Sequence, residues 1–307
     1  MPILLEESIK TIKPKLIFFD VDWTLINTKG QYSLELKFQI KRLKKAGCKF
    51  AIASGRPALA AQFLFDELDI TAAGCFCSGA EIYDPTQKKL LYSYTLSKDI
   101  LDKLYKRIKA DNIYYEWYST DSYGTEYCEV EPDHDDSKKI DASKQIETLE
   151  INQLHSQHLR IIPNNNSLLA MIEKETPITK LLLGVNKKKS PSLLQNLVKD
   201  FPECEFAFAG FLPKPDWLFV SVLSKEADKH EAFEFLLRYH QVNKSEVVAF
   251  GDSHSDEVFI ELAGLGVAMG NATEKLKALA DIVTESSDNK GVENVLARFC
   301  LPTTRRC

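Results

Sequence analysis

The sequence predicts an α/β protein, a doubly wound parallel sheet interrupted by an inserted α+β domain. Three observations carry this. Short unbroken apolar runs, such as Leu16-Ile17-Phe18-Phe19, end in acidic or small residues, the pattern of buried parallel strands that deliver polar groups at their C-terminal edge. These runs alternate with amphipathic stretches over short turns, as a doubly wound sheet requires. From about residue 84 to 225 the alternation gives way to a mixed texture, after which it resumes.

Taken in order, the first strand is followed by a helix from Ser33, its predicted cap, to about Ala46, with Leu34, Leu36, Ile40 and Leu43 as apolar positions. Gly47 ends it. Lys49–Ala53 reads as a second strand running into Ser54-Gly55-Arg56-Pro57, Ala58–Leu68 as a helix, and Cys75–Cys77 as a third strand leading to Ser78-Gly79-Ala80. In the middle region, Ile100–Ala110 and Ser192–Asp200 read as helices, and Leu159–Ile162, Lys180–Val185 and Trp217–Val222 as strands. Tyr114, Tyr115, Trp117 and Tyr118 offer a sugar-stacking surface or an aromatic strand in that region's core, and the core reading is preferred. Glu129–Lys139 is a charged, solvated loop, in which His134, Asp135 and Asp136 are a weak metal candidate. The sheet then resumes with a helix Lys229–Tyr239, a strand Glu246–Phe250, a helix Asp256–Leu262, strands Gly266–Met269 and Ile282–Thr284, and helices Thr273–Ala280 and Val292–Phe299.

A net charge of -5 gives no overall basic field for nucleic acid or an anionic membrane. Seven cysteines, odd in number, irregularly spaced and partly within apolar strands, fit a reducing compartment, and the expected location is cytoplasmic. No run approaches a membrane span, and the N-terminus lacks the basic start and apolar stretch of a signal peptide. Nothing in the sequence fixes an oligomeric state.

Four groups of polar residues stand at predicted strand ends or helix starts: Asp20-x-Asp22-x-Thr24, Ser54, Lys229, and Asp252 with Asp256. If the strand geometry persists, Asp20 and Asp22 lie on one side, which suits one carboxylate to metal holding and attack and the other to proton handling. Each group also has a plain reading alone: an acidic turn, a helix cap at Ser54, a solvated lysine with Lys225 as rival to Lys229, a surface turn at Asp252. His254 reads as a loop residue.

The order and setting of the four groups resemble the haloacid dehalogenase superfamily, and Gly251–Val295 is similar to its Cof-type, class IIB sugar-phosphatase branch. The resemblance covers residues 13–83 and 226–300 as a discontinuous hydrolase core, and it implies that 84–225 is a C2B-type cap. Only about thirty residues separate Asp20 from Ser54, too few for a globular insertion once a βαβ crossover is made. The resemblance implies Mg²⁺ on the Asp20 carboxylate, the Asp22 backbone carbonyl and Asp252, with Asp256 a further ligand or an orienting group. It implies phosphate binding by Thr24, Ser54, Gly55 and Lys229, and catalysis by Asp20 as nucleophile and Asp22 as acid and base. The expected partner is a small phosphorylated metabolite, with no nucleic acid and no membrane; the cap selects it. Departures from the family are Trp23 and His230 for glycine, and Ser78 and Ser255 for asparagine. The leading expectation is a phosphatase working through an aspartyl-phosphate. A phosphomutase of the same fold and a weakly catalytic binding protein are its alternatives.

Overall fold

Strand β1 (Leu16–Phe19) is apolar at every position because both of its faces are covered. The computed structural model describes residues 12–125, 157–160, 164, 166–188, 192–210 and 216–299. The chain divides into two units, one running to Tyr92 and resuming at Asp228, the other Ser93–Ala227.

In the first unit β1 is followed by α1 (Leu34–Lys45), β2 (Lys49–Ile52), a 3₁₀ turn (Ala58–Ala61) that runs into α2 (Gln62–Leu68), β3 (Gly74–Phe76), and the hairpin β4 (Glu81–Asp84) and β5 (Lys89–Ser93). The second unit supplies α3 (Lys98–Ala110), β6 (Tyr114–Ser119), β7 (Tyr123–Gly124), α4 (Leu168–Glu173), β8 (Ile178–Asn186), α5 (Leu193–Asp200), β9 (Cys204–Gly210) and β10 (Trp217–Ser224). The first unit resumes with α6 (Lys229–His240), β11 (Val247–Gly251), α7 (Glu257–Leu262), β12 (Leu265–Ala268), α8 (Glu274–Leu279), β13 (Ile282–Val283) and α9 (Gly291–Arg298).

The first unit's sheet is parallel in the order β13-β12-β11-β1-β2. Alternate residues of its strands feed two apolar layers. Ile17, Phe19, Phe50 and Phe250 join Leu36, Ile40, Leu64, Val292 and Val295 from α1, α2 and α9. Leu16, Phe18, Ala51 and Ala249 join Phe233, Leu236, Phe259 and Leu276 from α6, α7 and α8. Helices on both faces make the sheet doubly wound.

The predicted cap on α1 is present: the Ser33 hydroxyl accepts from the Leu36 N–H at 3.0 Å and donates to Glu293 of α9. Leu34 is a correction, being 85% exposed while Leu36 is 1% exposed. Leu36, Ile40 and Leu43 lie on one face, and Leu34, roughly 200° of helical rotation before Leu36, lies on the opposite side.

In the second unit an antiparallel sheet runs β7-β6-β8-β10-β9. All six residues of β6 are buried. Tyr115 and Trp117 enter an apolar cluster with Leu104, Ile108 and Met171 from α3 and α4. Tyr114 and Tyr118, of the other parity, both donate their hydroxyls to the buried Glu116, so the strand is aromatic core on one face and a polar cluster on the other. The expected strand at Leu159–Ile162 does not form at its start, since 157–159 are helical and Arg160 is left-handed at φ 57°; residues 161–162 lie outside the described residues, as do Glu129–Lys139 with His134, Asp135 and Asp136.

Residues 84–92, expected in the insertion, belong instead with the first unit. β4 pairs with β3, and Tyr92 packs edge-on against Phe235 of α6 at 5.1 Å. At the other boundary the first unit resumes at Asp228, two residues after the expected 226. The four described cysteines, Cys48, Cys75, Cys77 and Cys204, are buried and free, and burial pushes the Cys48 thiol up to about 12.

Leu36→Ala is expected to cost about 2–5 kcal/mol, as removal of a buried leucine does, whereas Leu34→Ala stays within about 0.5 kcal/mol. Urea unfolding of the two variants checks the assignment of faces, and equal losses would refute it.

Candidate active site

The sheet order reverses around β1. From β1 the chain moves outward through β2 toward β3, then returns to place β11 on the other side. Such a switch point opens a crevice at the C-terminal ends of the strands. Register brings the expected residues into it. Phe19 is level with Phe250 and with Ile52, the Asp20 N–H donates to Phe250 O at 3.0 Å, and the Ala53 N–H donates to Phe19 O at 2.8 Å. Asp20 therefore leaves its strand between Asp252 on one side and Ser54 on the other.

Asp20, Asp252 and Asp256 converge, each offering a carboxylate oxygen within 4.8 Å of the others. They are 6%, 6% and 2% exposed. Burial, then the charges of Asp256, Asp252 and Asp22, push the Asp20 carboxyl well above the ordinary carboxylate range. Burial, then Asp256 and Asp22, push Asp252 up to about 8. Carboxylates crowded in this way hold protons or a cation. The donors are hard oxygens, the type that suits Mg²⁺, so the residues present fit a divalent ion.

Asp256 is also the organiser of its own loop. Its Oδ2 accepts from the backbone N–H groups of Asp252 (3.0 Å) and Ser253 (2.9 Å) and from the Ser253 hydroxyl, and its Oδ1 accepts from Ser255. A Cβ on Gly251 would stand 2.4 Å from the Asp256 Cβ, so glycine before Asp252 lets this carboxylate tuck under the strand end. With four bonds made to the loop, Asp256 is better equipped to orient the site than to supply the ion's principal contact. Asn271 donates to Asp252 (3.4 Å) and to the Trp23 carbonyl (3.0 Å), tying the two acidic loops together.

The extended geometry expected through Asp22 does not persist. Past Asp20 the chain turns, with Leu25 N–H on Asp20 O and Ile26 N–H on Val21 O and Trp23 left-handed at φ 56°. The Asp22 carboxylate is close enough to raise Asp20 and Asp252, yet it lies outside the three-carboxylate cluster. Arg56 grips it with two parallel bonds, Nε to Oδ2 at 2.7 Å and a terminal nitrogen to Oδ1 at 2.6 Å. Arg56 is 4% exposed. The sequence reading passed over it, although a lone charge between an apolar strand and the apolar turn Ala58–Ala61 is a signal of a buried partner.

Ser54 is buried, and its hydroxyl oxygen accepts from the Arg56 N–H at 3.3 Å. Gly55 follows, near the Ser78 hydroxyl. Thr24 is buried close to Asp252 without reaching a hydrogen bond. Lys229 opens α6, capped by Asp228, and its ammonium donates to the Ser255 carbonyl beside Asp256. Lys225 instead donates to Pro202 O in the second unit, so Lys229 is the lysine that reaches the acidic cluster. Gly79, left-handed at φ 108°, allows its loop to approach α6: a Cβ there would lie 3.2 Å from the Lys229 nitrogen. His254 is exposed and pairs with Glu257.

Of the other departures, Ser78 sits left-handed at φ 53°, a conformation that asparagine adopts more readily. The Ser255 hydroxyl bonds Ser253 and Asp256. His230 leaves its side chain 60% exposed, so nothing there requires glycine.

Comparison with known proteins agrees with this architecture. The phosphatase YwpJ of Bacillus subtilis is 29% identical over 290 residues, covering 92% of this chain and 98% of the relative. The 5-amino-6-(5-phospho-D-ribitylamino)uracil phosphatase YwtE of the same organism is 25% identical over 284 residues, covering 91% and 95%. The solved structure of BT4131, described as a HAD subclass IIB sugar phosphatase, superposes with a TM-score of 0.73 at 18% identity, over 93% of this chain and 98% of that one. The profile of the haloacid dehalogenase-like hydrolases matches residues 17–296, and the chain belongs to that family.

Proposed function

We propose that this protein is an Mg²⁺-dependent phosphatase that hydrolyses a small phosphorylated metabolite, a sugar phosphate or related phosphoester, through an aspartyl-phosphate on Asp20. The observation that carries the reading is the convergence of Asp20, Asp252 and Asp256 at the switch point, with Lys229 bonded to Ser255 beside them. The names of the relatives, phosphatases of a ribitylaminouracil phosphate and of sugars among them, support the reaction class.

Asp20, Asp252 and the Asp22 carbonyl would hold the ion, oriented by Asp256. An ion held there would offset carboxylate charge and polarise the phosphoryl oxygens. Asp20 attacks phosphorus, and the bond to the leaving oxygen breaks as the new one forms. Asp22 gives that oxygen a proton, then takes one from the water that cleaves the aspartyl-phosphate. Lys229 supplies a point charge to the transferring group. Ser54 accepts from Arg56 through its oxygen and keeps its O–H to donate to phosphate.

The direct test is phosphate release from a panel of sugar phosphates, nucleotides and pyridoxal phosphate, with Mg²⁺ and with chelator. Release is expected to need the ion and to vanish in Asp20→Asn. An inert wild type, folded and still binding Mg²⁺, would reject the proposal.

The crowded carboxyls also set a pH dependence. Asp252, raised to about 8 in the folded chain against 3.8 ordinarily, keeps its proton where the unfolded chain has lost it. Stability of the metal-free protein therefore falls as pH rises from about 4 to about 8. A cation replaces the proton, contributing about 2.7 kcal/mol at a hundredfold its Kd. Melting with and without Mg²⁺ should show a larger rise in Tm at pH 8 than at pH 5, and equal rises would contradict it.

Arg56→Lys keeps a charge but loses the two-bond grip on Asp22. For an alkyl phosphate, whose leaving oxygen needs a proton, kcat is expected to fall about 10²-fold. p-Nitrophenyl phosphate, with a stable leaving anion, should lose much less. An equal fall for both would show that Arg56 acts on the phosphoryl group and not through Asp22.

A further inference from the structure

Trp23 is the residue after Asp22, where the family carries glycine. It is held left-handed at φ 56°, a conformation natural to glycine and strained for a bulky aromatic residue. The loop does not need the indole. Its turn is fixed by backbone bonds from Leu25 to Asp20 and from Ile26 to Val21, and Asn271 grips the Trp23 carbonyl; a glycine at 23 would leave the first two in place and accept the third without strain. Among the described residues the indole makes no ring contact or hydrogen bond. Trp23 is only partly buried, whereas Trp117 and Trp217, the other two tryptophans, are 0% and 8% exposed.

On the phosphatase reading Asp22 protonates the leaving oxygen, and Trp23, its chain neighbour, is tied through Asn271 to Asp252, which puts a partly buried indole at the rim of the site. We infer that Trp23 is a specificity-determining residue whose indole stacks on a planar heteroaromatic ring, a nucleobase or pyridine type, carried by the leaving group. A sugar can stack on an indole only through its uneven C–H face, and its hydroxyls gain nothing from the ring beyond the single N–H. A flat ring meets it over a full face, and stacking tolerates ring identity. The backbone strain is then a cost of the free protein set against a contact made only with substrate.

The test compares uridine and adenosine 5′-monophosphates with ribose 5-phosphate, which lacks only the ring, in wild type, Trp23→Gly and Trp23→Phe. Wild type should prefer at least one nucleotide. Trp23→Gly should lower its kcat/KM for that nucleotide about tenfold, mostly through KM, and leave ribose 5-phosphate within about twofold. Trp23→Phe should recover most of the preference, and Tm should not fall in Trp23→Gly. A parallel loss on both substrate types, or no preference for either nucleotide, overturns the inference.

A second readout needs no turnover. In Asp20→Asn, the nucleotide should shield tryptophan emission from acrylamide, ribose 5-phosphate should not, and the shielding should disappear when Trp23→Gly is added. If no phosphoester is cleaved but Trp23-dependent shielding is seen, the stacking stands and the phosphatase reading falls. If phosphate is released without shielding, stacking alone falls.

Discussion

The constraint on which this structure turns is the close approach of three buried carboxylates. Two unit charges 4.8 Å apart repel by about 3.5 kcal/mol at an effective dielectric near 20. Three such pairs approach the whole net stability of a domain, about 5–15 kcal/mol. The fold offsets that repulsion without relieving it. Asp20 is carried by a strand buried on both sides, and Asp252 by a strand locked to it in register. Asp256 is pinned by its own loop. Fixed in this way, the cluster sheds charge by holding protons or by taking a cation, and that choice couples pH, metal and stability.

The same rigidity explains the left-handed residues around the site. Cys77, Ser78 and Gly79 are left-handed in succession, at φ 47°, 53° and 108°. Their loop is tied back by Cys77 N–H on Arg56 O and Ser78 N–H on Ser54 O, and it approaches α6 so closely that a Cβ at the third position would press on the Asp228–Lys229 backbone at 3.2 Å. Trp23 is the counterpart in the loop that follows Asp20. Non-glycine residues in this region cost about 1–3 kcal/mol each and persist where surroundings over-determine them. Three of the ten such residues among the described ones, Trp23, Cys77 and Ser78, lie in the loops beside Asp20 and Ser54.

Strand ends were legible in the sequence because a parallel strand covered on both faces must be apolar, so the first acid after Phe19 marks its tip. Asp20, Ser54 and Asp252 were found by that logic. Helix faces were legible where apolar residues recur three and four apart; Leu34 misled because it is apolar but out of phase. Residues 84–92 were missed as part of the first unit because this end of the hairpin carries too few apolar residues to separate it from the inserted texture. Arg56 was missed for a deeper reason. Its partner, Asp22, is 34 residues away, and local pattern carries no information about a bidentate pair assembled by tertiary structure.

That pair also gives two aspartates two residues apart different surroundings. Identical side chains acquire distinct chemistry only through their surroundings. Asp20 faces two other carboxylates and a raised pKa, conditions that a divalent ion would relieve and that leave its oxygen directed at whatever the ion binds. Asp22 has both carboxylate oxygens engaged by a buried guanidinium, which keeps that carboxylate from joining the cluster. Its carboxylate is directed at Arg56 and lies outside the three-carboxylate cluster. The turn at Trp23, the grip of Arg56 and the register of β1 with β11 together give the two aspartates of one short motif different surroundings, and the proposed division into nucleophile and proton carrier rests on that difference.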